Sequence, residues 1–179
     1  MRKTQYQKIQ KYLLKHAWLI PFLDFFATKV TYLYVMSAAF FLWSPLGRQV
    51  GYSIALSLFI AWGICVQACA YVFPLRRPYQ MYGFTPLAGK GVFSHIDTNH
   101  DSFPSGHAVA LAVATIFLFV ISIPLGVFSL CVLGLSACAR VVLGYHHAVD
   151  ITAGVLLGTL VVSALHAVGL YAYIVTVIQ

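Results

Sequence analysis

Residues 105–143 read SGHAVALAVATIFLFVISIPLGVFSLCVLGLSACARVVL, and this stretch decides the fold class. Arg140 is its only Lys, Arg, Asp or Glu, and the sequence IPLG at 123–126 divides it into two apolar runs. Each run has close to the roughly 20 helical residues needed to cross the hydrocarbon core of a bilayer. The stretch therefore predicts two neighbouring membrane-spanning helices joined by a tight turn.

The rest of the chain has the same apolar character. Of its 179 residues, 61% are hydrophobic and only 8% are charged, whereas a soluble domain has roughly 25% charged residues. We therefore predict a single all-α domain over residues 1–179, folded as a polytopic membrane helix bundle. Five spans are expected, near residues 25–44, 51–73, 105–124, 126–143 and 148–176.

The N-terminal residues 1–22 are predicted to form an interfacial helix, because lysines alternate there with apolar side chains. Pro21 is expected to end or bend it. The net charge of +7 has two expected origins, which are contact with anionic lipid at the membrane surface and binding of an anionic substrate. No long basic stripe lies on a polar domain, so nucleic acid is not an expected partner.

One segment, residues 74–104, interrupts the apolar pattern with prolines, charged residues and histidines. We interpret it as an active-site loop, because water-facing chemistry in a membrane protein belongs to its polar segments. Five crossings place this loop and the segment around 144–147 on the same side as the N-terminus. His95, Asp97, His100 and Asp101 could in principle bind a metal, but a solvated cap over the site is the preferred interpretation, and no metal or cofactor is expected.

Three polar clusters fall on that shared face. They are Arg76-Arg77-Pro78, then Pro104-Ser105-Gly106-His107, and then Arg140 with His146 and Asp150. Phosphoryl transfer spreads negative charge over the oxygens of the transferred group, so fixed cations and donors must surround it. The arginines offer planar charged groups, and a helix beginning after Pro104 offers free N–H groups to an anion.

Two histidines can supply the nucleophile and the acid. His146 and His107 belong to the residue type best suited to both tasks near neutral pH. Asp150 follows His146 by four residues, so in a helix both side chains share one face. Asp150 can then accept the Nδ1 hydrogen and leave Nε2 for attack, as the acid of a catalytic triad does.

Together the clusters resemble the type 2 phosphatidic acid phosphatase superfamily, which also includes vanadium haloperoxidases. The family pattern is Lys, six residues and Arg-Pro; then Pro-Ser-Gly-His; then Ser-Arg, five residues, His, three residues and Asp. Arg77-Pro78, then Pro104-Ser105-Gly106-His107, and then Arg140 with His146 and Asp150 match it in order and spacing, and the resemblance spans residues 70–150. The resemblance implies a metal-independent mechanism in which His146 attacks phosphorus, Asp150 orients it and His107 protonates the leaving group. The phosphate oxygens would be held by Arg77, Ser105, Gly106 and Arg140.

Two positions depart from the family pattern. Ala70 stands where the family has Lys, and Ala139 stands where it has Ser. One phosphate-binding cation is therefore missing. We include Arg76 among the expected phosphate-binding residues for this reason, with Lys90 as the alternative.

The compact five-span layout resembles the small bacterial undecaprenyl pyrophosphate phosphatases of this superfamily. This favours a prenyl diphosphate such as undecaprenyl pyrophosphate as substrate. The alternatives are phosphatidic acid, phosphatidylglycerol phosphate or lipid A, phosphotransfer to another lipid, and a non-catalytic phospholipid-binding protein. The expected partners are thus the bilayer and a lipid phosphate, and the sequence makes no prediction of oligomeric state.

The sequence gives conflicting indications about which side of the membrane carries the site. A strict count of positive charges puts the site in the cytoplasm, because the basic N-terminus shares its face. The catalytic arginines are explained by their chemistry, however, and the N-terminal lysines by an interfacial helix. The family resemblance favours the outer face of the cytoplasmic (inner) membrane, and that is the location we expect.

Overall fold

The computed structural model describes residues 3–43, 47–87 and 102–171, in which the regular elements are helices. The elements are α1 (Lys3–Lys15), α2 (Leu19–Asp24), π1 (Phe25–Lys29), α3 (Val30–Trp43), α4 (Arg48–Leu58), π2 (Phe59–Val66), α5 (Gln67–Val72), α6 (Pro78–Tyr82), α7 (Gly106–Ile121), α8 (Ile123–Val142) and α9 (Ala148–Ala167). A short helix, α1, is followed by a long helix that has three segments, α2, π1 and α3. A second long helix also has three segments, α4, π2 and α5. The prediction of an all-α membrane bundle is confirmed.

Within the described ranges, four helical stretches are long and apolar enough to cross a membrane, and they are Leu19–Met36, Val50–Val72, Ile123–Val142 and Ala148–Ala167. The first begins before the predicted residue 25. The last was predicted to reach residue 176; α9 ends at Ala167, Gly169 follows with a positive φ of 70°, and residues 172–176 lie outside the described part.

The predicted third span, 105–124, is shorter than expected. Helix α7 has 16 residues and is about 24 Å long at 1.5 Å per residue, less than the roughly 30 Å of the hydrocarbon core. The break falls at Ser122, which has an extended backbone, and Pro124 lies in the first turn of α8 rather than in a loop. Proline fits there because the first N–H groups of a helix have no intrahelical partner.

The N-terminal prediction, an interfacial helix over residues 1–22 that Pro21 ends or bends, also needs correction. The first helix ends at Lys15, and residues 19–22 belong to the next helix, which begins the first stretch long enough to cross a membrane. Pro21 lies in the first turn of α2 and neither ends nor bends α1. Tyr6, Ile9 and Leu13 lie along one face of α1. Tyr6 and Leu13 are buried against the rest of the protein.

Helix α7 lies at the centre of the bundle. Residues 108–115 are all buried, and the helix packs most closely on α8 and α9. Gly154 and Gly158 of α9 allow this approach, because a Cβ at either position would lie 2.6 Å from the carbonyl oxygen of Ser105 and 2.9 Å from that of Val109, respectively. Small residues four apart let two membrane helices approach backbone to backbone. This contact sets the start of α7 beside the first turn of α9.

Candidate active site

Three chain segments meet at the beginning of α7. The Ser105 N–H donates to the carbonyl oxygen of Asp150 (3.0 Å), and the Ser102 N–H donates to that of Leu75 (3.0 Å). The Tyr79 N–H reaches the carbonyl oxygen of Gly144 (3.3 Å). These backbone bonds join the chain segments that carry the three polar clusters.

His146 lies in the turn between α8 and α9, and its two neighbours define its tautomer. Nδ1 is 2.8 Å from the carbonyl oxygen of Ser102, which can only accept, so Nδ1 carries the hydrogen. Nε2 is 3.0 Å from Nη2 of Arg140, which can only donate, so Nε2 holds the lone pair. The ring therefore has its lone-pair nitrogen, Nε2, turned toward a fixed cation.

Burial, followed by the charge of Arg140, lowers the pKa of His146 well below its usual range, while Asp150 acts in the opposite direction. Desolvation disfavours the charged imidazolium, and a nearby cation does the same. His146 is thus neutral at neutral pH. A neutral imidazole is the form that can attack phosphorus.

The role predicted for Asp150 differs in one detail. Its Oδ2 lies 3.6 Å from His146 Nδ1, an ion-pair distance beyond that of a hydrogen bond, and the Nδ1 hydrogen goes to the Ser102 carbonyl oxygen instead. Oδ2 accepts from the Ser102 hydroxyl (2.6 Å) and from the His147 N–H (2.8 Å). The carboxylate is therefore held at the start of α9 as a fixed negative charge beside the ring.

Arg140 is buried in the last turn of α8. Its Nη1 donates to the carbonyl oxygen of Ala27 in π1, and its guanidinium lies 5.9 Å from the ring centroid of Tyr145. In a π-turn each N–H reaches five residues back, so a carbonyl oxygen can be left for an outside donor. The widened turn π1 therefore helps fix the arginine that contacts His146.

His107 lies in the first turn of α7, and the charges of Arg140, His146 and Arg77 act on it. The ring of Tyr32 meets the His107 ring edge-on, with centroids 6.0 Å apart. The structure thus brings His107, His146, Asp150, Arg77 and Arg140 into one electrostatically connected group.

The start of α7 offers donors to an anion. The Ser105 side chain is fully buried, and its Oγ has no hydrogen-bond partner among the described residues. Gly106 begins the helix, where the N–H groups have no intrahelical acceptor. A Cβ on Gly106 would lie 2.6 Å from Nε1 of Trp62, so a side chain at this position would displace that indole.

The remaining predicted cations differ in their burial and in whether the structure describes them. Arg76 is exposed, whereas Arg77 is half-buried and its charge acts on His107, His146 and Arg140. Lys90 and the four predicted loop residues His95, Asp97, His100 and Asp101 lie outside the described residues. In the part of the chain that the structure describes, no group of three or more His, Cys, Asp or Glu side chains is arranged to hold a metal.

Sequence reasoning missed two contributors. Ser102 supplies a carbonyl oxygen to His146 and a hydroxyl to Asp150, although it stands two residues before the Pro-Ser-Gly-His cluster and only its polarity marks it. Ala27 contributes through its backbone, for which no side-chain signal exists.

The comparison with protein families agrees with this geometry. The model of the PAP2 superfamily, the type 2 phosphatidic acid phosphatases, matches residues 47–173. The chain belongs to the PAP2 superfamily. Members of this superfamily are in general metal-independent phosphatases that act on phosphate esters. The several apolar helices indicate that this member is a membrane protein. No curated protein matches the chain at a significant level.

Proposed function

We propose that this PAP2 protein hydrolyses a lipid phosphate or diphosphate through a phosphohistidine on His146, with a prenyl diphosphate such as undecaprenyl pyrophosphate as the favoured substrate. The observation that carries the proposal is the pair of contacts on His146. The Ser102 carbonyl oxygen holds the hydrogen on Nδ1, and Arg140 lies at the Nε2 lone pair. A phosphate bound by Arg140 then stands next to the nucleophile.

In the first step the Nε2 lone pair forms a bond to phosphorus, and the bond from phosphorus to the leaving oxygen breaks. His107 is protonated once the anionic phosphate offsets the nearby arginine charges that disfavour its imidazolium, and it gives its proton to that oxygen. The imidazole becomes positive as it is phosphorylated, and the Asp150 carboxylate at 3.6 Å stabilises this charge. Arg77, Arg140, Ser105 and the Gly106 N–H hold the phosphate oxygens.

In the second step water attacks the phosphohistidine and gives a proton to His107, which is now neutral. The bond between phosphorus and Nε2 breaks, inorganic phosphate leaves, and both histidines return to their starting states. The same intermediate would serve phosphotransfer if a lipid hydroxyl took the place of water. The products therefore distinguish hydrolysis from transfer.

The role assignment is tested by trapping the phosphoenzyme with labelled substrate. His146→Ala should abolish turnover on every substrate, because no covalent intermediate forms. His107→Ala should lose activity on natural lipids by about 10²–10⁴-fold, the usual contribution of general acid catalysis. It should still be phosphorylated by p-nitrophenyl phosphate, whose leaving group departs without a proton. An acid-labile, base-stable label on His146 supports the scheme; a label on His107, or robust turnover by His146→Ala, contradicts it.

The substrate is tested by phosphate release from a panel of lipids in detergent or vesicles. We expect the highest kcat/KM on prenyl diphosphates, with lower values on phosphatidic acid, phosphatidylglycerol phosphate and lipid A. A clear preference for a glycerolipid would replace the prenyl assignment and leave the mechanism intact. Binding of a lipid phosphate without any phosphate release would favour the non-catalytic alternative.

We further propose that the protein lies in the cytoplasmic (inner) membrane with its site on the extracytoplasmic face. Thr85 and Arg48 are both exposed and lie on opposite faces of the bundle by the order of crossings. In a background without the native cysteines, Thr85→Cys should react with an impermeant maleimide in intact cells, whereas Arg48→Cys should react only after permeabilisation. The reverse pattern would place the site in the cytoplasm.

A further inference from the structure

The N-terminal helix α1 contacts the turn that carries His146, although the family match begins only at residue 47. Tyr6 is the main point of contact and is only 1% exposed. Its ring centroid is 5.6 Å from that of Tyr82 and 5.6 Å from that of Phe84. The three rings form one aromatic group that joins α1 to the segment after Arg77.

This aromatic group covers Gly144. The residue has a φ of +79°, and a Cβ there would lie 2.7 Å from Cζ of Phe84 and 3.7 Å from Cε1 of Tyr6. A positive φ and the lack of a side chain therefore both matter at this position. Gly144 stands two residues before His146, so the rings restrict the turn from which the predicted nucleophile projects.

The hydroxyl is the one polar group of the Tyr6 side chain. It is buried without a hydrogen-bond partner among the described residues, and so is Oδ1 of Asp150. The negative charge of Asp150 also acts on Tyr6. Buried polar groups that lack a protein partner commonly bond to an ordered water.

The hydroxyl keeps its proton over the working range of the enzyme. Burial, then Tyr82 and then Asp150 raise the pKa of Tyr6 to about 12. Tyr6 is therefore a donor and Asp150 Oδ1 an acceptor at neutral pH. The other groups that face the Asp150 carboxylate are His146, the Ser102 hydroxyl and the His147 N–H.

We infer that Tyr6 is a positioning residue for the His146–Asp150 pair, holding the Gly144 turn with its ring and donating to Asp150 Oδ1 through one bridging water. The inference rests on the proposed function. It assigns a role in the reaction to a helix that lies outside the matched family region.

The test compares Tyr6→Phe, which loses only the hydroxyl, with Tyr12→Phe, the same change at an exposed position of α1. With p-nitrophenyl phosphate, Tyr6→Phe should lower kcat about fivefold, the effect of one neutral hydrogen bond, and leave KM within about twofold. The acid limb of the kcat/KM profile should move to higher pH, because the ionised carboxylate loses a donor. Tyr12→Phe should match the wild type in all three respects.

Tyr6→Ala and hydrogen exchange give a measurement that needs no activity. Removal of the ring should speed amide exchange in a peptide covering 143–150, while Tyr6→Phe should leave exchange unchanged. An unchanged pH profile and kcat in Tyr6→Phe would overturn the role of the hydroxyl, and unchanged exchange in Tyr6→Ala would overturn that of the ring. Failure of the wild type on every lipid phosphate would count against the proposed function, and the exchange result would still decide the role of the ring.

Discussion

The hydroxyl of Ser102 offers the sharpest test of how the site is held together. Ser102→Ala removes the 2.6 Å bond to Asp150 Oδ2 but keeps the backbone carbonyl oxygen that fixes the His146 tautomer. Oδ2 would then keep only the His147 N–H, at 2.8 Å. The substitution therefore separates the orientation of Asp150 from the tautomer of His146.

The size of the effect follows from the burial of the pair. Ser102 and Asp150 are both fully buried, so water cannot replace the lost donor without rearrangement. A hydrogen bond to a charged group contributes about 1.5–3 kcal/mol, and 1.36 kcal/mol corresponds to about tenfold in rate. If the carboxylate stabilises the phosphorylated imidazolium, kcat should fall by about 10- to 150-fold, with little change in KM.

The assay is steady-state hydrolysis of p-nitrophenyl phosphate in detergent, together with thermal unfolding of each variant. Ser136→Ala is the matched control, because Ser136 is also buried but its Oγ has no hydrogen-bond partner among the described residues. In a double-mutant cycle, Ser102→Ala should cost much less in an Asp150→Asn background than alone. A kcat for Ser102→Ala equal to that of Ser136→Ala, or full additivity in the cycle, would refute the reasoning.

Three further outcomes are expected. Activity should survive EDTA, because arginines supply the positive charge that metals supply elsewhere; full loss restored by one metal ion would contradict this. Gly154→Ala should lower the unfolding temperature and destabilise the protein by about 1–3 kcal/mol, because the added Cβ would lie 2.6 Å from the Ser105 carbonyl oxygen. Gly134→Ala is the control and should be neutral, since nothing lies within 4 Å of a Cβ at that position. Ala70→Lys should lower KM for phosphate monoesters if a cation is missing at that position. If Ala70→Lys has no effect and Arg76→Ala causes a severe loss of activity, Arg76 already binds the phosphate. A neutral result for both variants would show that neither position faces the phosphate.

The membrane fold could be predicted from the sequence because hydrophobicity acts locally. A run of about 20 apolar residues must form a helix in lipid, where each backbone polar group needs an internal partner. The all-α class follows from this rule alone. The ends of the helices were less accurate, because Pro21 and Pro124 signal a break in the sequence but are accommodated in the first turns of α2 and α8.

The residues proposed for chemistry were also visible in the sequence. Reactive side chains and their spacing are local properties, so His146 and Asp150 could be paired in the sequence, although His146 lies in the turn before α9 and not on the helix that this spacing assumed. The backbone bonds at Ser105 and Gly144 then show how the segments carrying them meet. Catalytic roles remain predictions for the experiments above.

What the sequence by itself determined, then, is the class of fold, the order of the helices and the side chains available for phosphoryl transfer. Only the tertiary structure decided which atoms those side chains touch. The partner of His146 Nδ1 is a backbone oxygen of Ser102, and the partner of Arg140 Nη1 is a backbone oxygen of Ala27. Backbone oxygens are present at every residue, so their use depends on distant segments meeting in space and leaves no mark in the sequence.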